Sequence, residues 1–127
     1  MKILLILILS ELLNNKIRTP KEAEKISPYD LLGALRHVKS QNPIYAKKKP
    51  RSSYAEMLRN IRMRIEFKTL RKTDLAITVT STQSGDGKTF ISTNLASLYS
   101  MSGHPTVLVD MDIRKPNVHD KLGLEAS

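Results

Sequence analysis

The string Ser84-Gly85-Asp86-Gly87-Lys88-Thr89 constrains this 127-residue chain more than any other feature. It stands between a β-branched run and a helix-forming stretch. Ala76-Ile77-Thr78-Val79-Thr80 has the composition of a strand. From about Lys88 to Ser102 the pattern is helical, with Leu95, Ala96, Leu98 and Tyr99 available for packing and Gly103 as the stop. Thr106-Val107-Leu108-Val109-Asp110 then reads as a buried parallel strand. The order is β-loop-α-β, so the expected class is α/β, with two parallel strands flanking a crossover helix. No internal repeat is visible.

A glycine-containing loop at that position can bind phosphate. Gly85 and Gly87 let successive backbone N–H groups converge into an anion nest, and the helix N-terminus adds partial positive charge. Lys88 suits the β- and γ-phosphates, and the Thr89 hydroxyl suits Mg²⁺. The candidate nucleotide-contacting set is Ser84, Gly85, Asp86, Gly87, Lys88, Thr89 and Phe90. The common pattern places a glycine five residues before Gly87, where this chain has Thr82, so the match by letter is partial. A Gly-x-Gly-Lys-Thr string alone is also compatible with a surface turn. Its strand-before, helix-after context is what favours phosphate.

The second expected strand ends in Asp110-Met111-Asp112-Ile113-Arg114. In open α/β sheets, ligands sit at the carboxyl ends of strands. Asp110 and Asp112 are therefore candidates to hold a metal-bound water or to take a proton from an incoming hydroxyl. The plainer alternative is a turn with a helix cap.

The rest of the chain is basic, giving a net charge of +9, concentrated between Lys16 and Lys72. Such a balance favours an anionic partner. The run Lys47-Lys48-Lys49-Pro50-Arg51 fits either a solvated linker or a membrane-surface patch. Residues 3–9 are wholly apolar but too short for the ~20 residues of a membrane helix. They suit a buried terminal segment or the last turns of such a helix. Thr19-Pro20-Lys21-Glu22 has the form of a capped helix start, with the helix running to about Ile26. Leu31 to Val38 suggests a short strand, and Ser40 to Ser52 a linker. A second helix is expected from Ser53 to Leu70, capped by Ser53 with Glu56. Tyr54, Leu58, Ile61 and Ile65 form its apolar stripe, and Arg59, Arg62, Arg64 and Lys68 lie opposite. The absence of cysteine excludes disulfides and thiolate metal sites, and the three scattered histidines lack zinc-ligand spacing. No helix-turn-helix or aromatic-interleaved basic pattern points to nucleic acid.

Taken together, these motifs resemble the bacterial tyrosine kinases of exopolysaccharide and capsule synthesis, relatives of the ParA/MinD ATPases. The loop from Thr80 to Thr89, the apolar-Asp-x-Asp-x-Arg string at 107–114, and Glu56-x-x-Arg59-x-x-Arg62 are the points of similarity. The segment Glu11 to Lys25 is also similar to the stretch after the second membrane helix of such proteins. The resemblance implies ATP and Mg²⁺ as cofactors and tyrosine autophosphorylation as the activity. Lys88 would hold phosphate, Thr89 magnesium. Asp110 would act as base, and Asp112 would assist with metal or water. Glu56, Arg59 and Arg62 would meet the nucleotide site of a neighbouring copy in a ring. It further implies the polysaccharide export machinery as partner and the cytoplasmic face of the inner membrane as location. Residues 1–13 would be a membrane-helix remnant, 14–52 a juxtamembrane segment with a basic linker, and 53–127 the first part of the kinase domain. The family's third motif, apolar-Asp-x-x-Pro, and its tyrosine-rich tail have no counterpart here, so the expectation is a piece of a larger kinase. Two other readings are a ParA/MinD-type ATPase and a non-enzymatic assembly module with a vestigial loop. Gln83 stands where a ParA/MinD protein has its signature lysine, which disfavours the first of these.

Overall fold

The structure is a computed structural model that describes residues 17, 19–40, 42–69, 74–113, 116 and 118–124. The expected membrane-helix remnant lies outside the described residues. Among those described, no helix is long and apolar enough to cross a membrane. The chain divides into two units, residues 1–31 and 32–127.

The first unit contains α1 (Pro20–Ile26). Thr19 caps it as expected, its Oγ1 accepting from the Glu22 N–H at 3.3 Å, and Pro20 takes the first helical position. The helix buries no residue.

The second unit contains α2 (Tyr45–Lys48), α3 (Ser53–Lys68), α4 (Lys88–Met101) and α5 (Val118–Leu122). Its core is small: Ala46, Tyr54, Ala55, Leu58, Leu95, Leu98 and Tyr99. Tyr54, Leu58, Ile61 and Ile65 of α3 lie at steps of four, three and four. Tyr54 and Leu58 are buried, and Ile61 and Ile65 are half-buried. Ser52, not Ser53, is the cap: its Oγ accepts from the Ala55 N–H at 3.2 Å. The expected capping box of Ser53 with Glu56 is therefore absent. The Glu56 carboxylate instead accepts from Arg59. At the end of α4 the N–H groups of Gly103 and His104 donate to the carbonyls of Ser100 and Tyr99, at 3.0 and 3.2 Å. With Gly103 at φ 85°, this is the left-handed cap the glycine predicts.

Three expectations need correction. First, the α/β unit is not shown: among the described residues none is in a strand, and 75–81 and 104–112 carry no regular structure. The physical reason lies in what a strand requires. A parallel strand is stable only when its ladder is paired and both faces are covered. Two isolated strands do not meet that condition. Val107, Val109, Met111 and Ile113 accordingly remain exposed, at 87%, 64%, 78% and 92%. A cavity of about 430 Å³ separates part of these segments (Leu75, Ile77, Val79, Val107, Leu108) from Leu95 and Tyr99 of α4. Second, residues 31–38 form no strand. Third, the stretch expected as a linker holds α2, and Ala46 within it is wholly buried.

What fixes α2 is Asn94. This side chain is fully buried in the middle of α4. Its Oδ1 accepts from the Ala46 N–H, and its Nδ2 donates to the carbonyls of Pro43 and Phe90, all at 2.8 Å. All three hydrogen-bonding capacities used are on backbone, so one amide ties residues 43–46 to the helix behind the glycine loop.

Candidate functional site

The loop from Ser81 to Thr89 builds itself from local contacts. Gly85 and Gly87 have φ of 88° and 89°, a left-handed backbone that disfavours other residues, and no atom lies near the position a Cβ would take. Gly87 is the N-cap of α4. The Asp86 carboxylate turns back to accept the Gln83 N–H at 3.2 Å, closing the loop on itself. Lys88, the first residue of α4, also bends back. Its Nζ donates to Ser81 Oγ at 2.9 Å and to the Gln83 carbonyl at 3.2 Å. The Ser81 hydroxyl in turn donates to the same carbonyl at 2.7 Å. The loop thus joins left-handed glycines, a helix N-terminus and an ammonium group within nine residues. That is the donor set a polyphosphate needs.

Thr89 is half-buried at the first turn of α4, its carbonyl accepting from Ser92 Oγ and Thr93 Oγ1 at 3.1 and 2.7 Å. Phe90 packs against Tyr54 with ring centroids 5.5 Å apart. Ser84 is exposed on the loop. Beside the loop lies a cavity of about 580 Å³, lined by Gly85, Asp86, Gly87, Thr89, Phe90, Tyr54, Leu35 and Val38 among others. Burial pushes the Tyr54 phenol up to about 12.

Asp110 and Asp112 are exposed. Asp110 accepts from two backbone groups: the Asp112 N–H at 3.0 Å through Oδ1 and the Val118 N–H at 3.1 Å through Oδ2. Its two oxygens thus tie residue 110 to residue 112 and to the start of α5. Among the described residues no three His, Asp or Glu side chains converge on a metal position. Lys88 and Thr89 are neighbours in the first turn of α4, whereas Asp110 is engaged with the Asp112 and Val118 N–H groups.

Glu56, Arg59 and Arg62 all have partners within this chain. Arg59 pairs with Glu56 and donates from Nη2 to the Pro50 carbonyl at 2.7 Å. Arg62 reaches the end of α4, donating to Ser102 Oγ and to the Leu98 carbonyl at 3.4 Å, and pairs with Glu66 at 3.5 Å. Its guanidinium lies 5.9 Å from the centre of the Tyr99 ring. Arg62 is thus not on the solvated face of α3, because it stands four residues after the buried Leu58 and borders the stripe. Burial raises the Tyr99 phenol above its ordinary value; the Glu66 carboxylate adds to the rise and Arg62 opposes it.

Two residues escaped the sequence reading. Asn94 had a signal, since Phe90, Asn94 and Leu98 fall at steps of four and place a polar group inside an apolar stripe. Ser81 had none beyond its nearness to the loop.

The geometry is that of a glycine loop at a helix N-terminus with a lysine folded back over it, the class of site at which P-loop nucleotide-binding proteins hold phosphate. Residues 77–127 match the CobQ/CobB/MinD/ParA nucleotide binding domain. CapB of Staphylococcus aureus is 36% identical over 78 residues, covering 61% of this chain and 34% of that protein. The tyrosine-protein kinase YwqD of Bacillus subtilis is 35% identical over 85 residues, covering 67% of this chain and 36% of that protein. The succinoglycan biosynthesis transport protein ExoP of Rhizobium meliloti is 36% identical over 69 residues, covering 54% of this chain and 9% of that protein. The chain spans about a third of the length of CapB and YwqD. No solved structure matches it significantly. The chain is a homologue of the bacterial tyrosine-protein kinases and carries part of a nucleotide-binding domain of the ParA/MinD type.

Proposed function

We propose that this chain binds ATP with Mg²⁺ at residues 84–90 and belongs to a tyrosine kinase that regulates exopolysaccharide synthesis and export. The observation that carries the reading is the loop itself, with two left-handed glycines, the N-terminus of a 14-residue helix and the Lys88 ammonium within nine residues. The adjoining cavity of about 580 Å³ has the size of a small-molecule site and would take the nucleoside.

In this reading the backbone N–H groups of 85–89 cradle the phosphates and Lys88 neutralises the charge that develops on them. The Thr89 hydroxyl and a carboxylate from Asp110 or Asp112 would hold Mg²⁺, which would supply positive charge to offset that of the phosphates. Asp110 would accept the proton of a tyrosine hydroxyl. Doing so requires that it exchange its hydrogen bonds to the Asp112 and Val118 N–H groups for the substrate. The kinase names of the relatives and the 107–114 motif support this assignment. Glu56, Arg59 and Arg62 are proposed to face a neighbouring copy in a ring, for which Arg62 would have to leave its contacts with Ser102 and Glu66. The basic stretch from Lys47 to Arg51 is proposed to face the membrane at the cytoplasmic side, beside the polysaccharide export machinery.

The test is thermal. A ligand at a hundred times its dissociation constant stabilises the folded state by about 2.7 kcal/mol, roughly a 10 °C rise in melting temperature for a chain of this size. ATP with Mg²⁺ should produce that rise, and Lys88→Met should remove it. A wild-type melting curve unmoved by saturating nucleotide refutes binding at this loop.

A further inference from the structure

We infer that Ser81 is a positioning residue for the loop lysine, holding its ammonium group in place before any phosphate arrives. The inference rests on the nucleotide-binding reading of residues 84–90. An ammonium has three N–H donors. Lys88 gives one to Ser81 Oγ at 2.9 Å and one to the Gln83 carbonyl at 3.2 Å, which leaves a third for a phosphate oxygen. The Ser81 hydroxyl has one proton and two lone pairs. It donates the proton to the Gln83 carbonyl at 2.7 Å while accepting from Lys88, so both of its functions are used in one closed triangle. The Gln83 N–H is itself held by Asp86, which fixes the third corner.

This arrangement removes a cost from binding. A lysine side chain ordered by a ligand loses rotamer freedom at that moment. Here Lys88 is ordered beforehand, by one charge-assisted hydrogen bond to a hydroxyl and one to a carbonyl. Gln83 contributes through its backbone, so side-chain substitution there leaves the contact standing. Ser81 contributes through its side chain alone, which makes it the member of the triangle that mutation can remove. Alanine deletes the hydroxyl, whereas threonine keeps it.

Two measurements on the full chain test this. In the nucleotide-free protein, the ¹⁵Nζ resonance of Lys88 should be slowed in proton exchange and shifted from that of solvent-exposed lysines. Ser81→Ala should return it to their position, and Ser81→Thr should restore it. In titrations with a fluorescent ATP analogue and Mg²⁺, Ser81→Ala should weaken binding about tenfold, and Ser81→Thr should return it to within about twofold of wild type. The nucleotide-free melting temperature should stay near wild type in both variants, which separates positioning from folding. An unmoved Lys88 resonance in Ser81→Ala, or an alanine variant that binds as tightly as wild type, overturns the role of Ser81. If the wild type binds no nucleotide, the functional reading falls, while the Lys88 resonance still decides whether Ser81 holds the ammonium.

Discussion

Asn94→Ala should be among the most damaging single changes to this fold. The side chain is wholly buried and satisfies the Ala46 N–H and the Pro43 carbonyl, neither of which has a helical partner of its own. Removing it leaves a fully buried donor and a half-buried acceptor unpaired. Each such orphan costs about 1–3 kcal/mol, so the loss should be about 3–4 kcal/mol. The Phe90 carbonyl adds little, because it lies within α4 and keeps its place in the helix. Urea denaturation followed by circular dichroism reads the effect. With a slope of about 1.5 kcal/mol/M, the midpoint should fall by roughly 2 M at constant slope.

A second substitution makes the reasoning sharper. Asn94→Asp keeps an acceptor for the Ala46 N–H but turns a carboxylate toward the carbonyls of Pro43 and Phe90. At neutral pH it should be more damaging than alanine. Burial and two facing carbonyls raise the folded-state pKa of that carboxyl, so its penalty grows as pH rises through the unfolded value of about 3.9 and is smallest in acid. If Asn94→Ala costs less than about 1 kcal/mol, or Asn94→Asp is no more harmful at pH 7 than at pH 4, then residues 43–46 are not held to α4 by this amide.

Further outcomes follow from the same contacts. The Tyr54 phenol keeps its proton up to about pH 12 in the folded state, whereas in the unfolded chain it ionises near 10. Stability should therefore be full below pH 10 and fall by about 2–3 kcal/mol as pH rises to 12; Tyr54→Phe should remove that component of an alkaline denaturation series. Arg62→Ala should cost about 1–2 kcal/mol in equilibrium unfolding, because it strips partners from Leu98 and Ser102 and leaves Glu66 half-buried. Arg59→Ala removes only an exposed pair and a loop contact, and should cost about 0.5 kcal/mol. Arg59 is consequently the cleaner probe of assembly: a reduced mass by light scattering with unchanged stability would support a ring, and an unchanged mass would leave Arg59 as surface charge.

What the sequence disclosed and what it withheld divide along the range of the interactions. Helix α1 was legible because Thr19, Pro20 and Glu22 act within one turn. The loop and the end of α4 were legible because Gly85, Gly87 and Gly103 impose their backbone locally. The stripe of α3 was legible because its spacing is periodic. The segment 43–46 was not. Its lysines and prolines have linker composition, and only a residue some fifty positions later, Asn94, gives Ala46 a place in the core. Arg62 is an intermediate case: its step of four from Leu58 sets it at the border of the stripe, and only its partner Ser102 is distant in the chain. The two expected strands stand differently, since they are not shown among the described residues. Their β-branched composition is real, but composition supplies only the capacity to pair, and no pairing occurs among the described residues.

This division also orders the site. The phosphate loop is made of contacts spanning at most seven positions, from Ser81 to Lys88, so it takes shape without a sheet behind it. The acidic motif is different. Asp110 can approach the loop only if residues 76–80 and 106–110 run side by side, because that pairing is what brings two strand ends together. Without it, Asp110 settles on the nearest donors, the N–H groups of Asp112 and Val118, and the apolar residues that alternate with the acidic ones stay in solvent. On the proposed function, binding and phosphoryl transfer would therefore rest on different parts of the fold. The first depends on local backbone geometry and on Lys88. The second depends on a long-range pairing that would have to bury Val107 and Val109 and draw Asp110 out of its own turn, so any structure that completes the sheet would also place the proposed base.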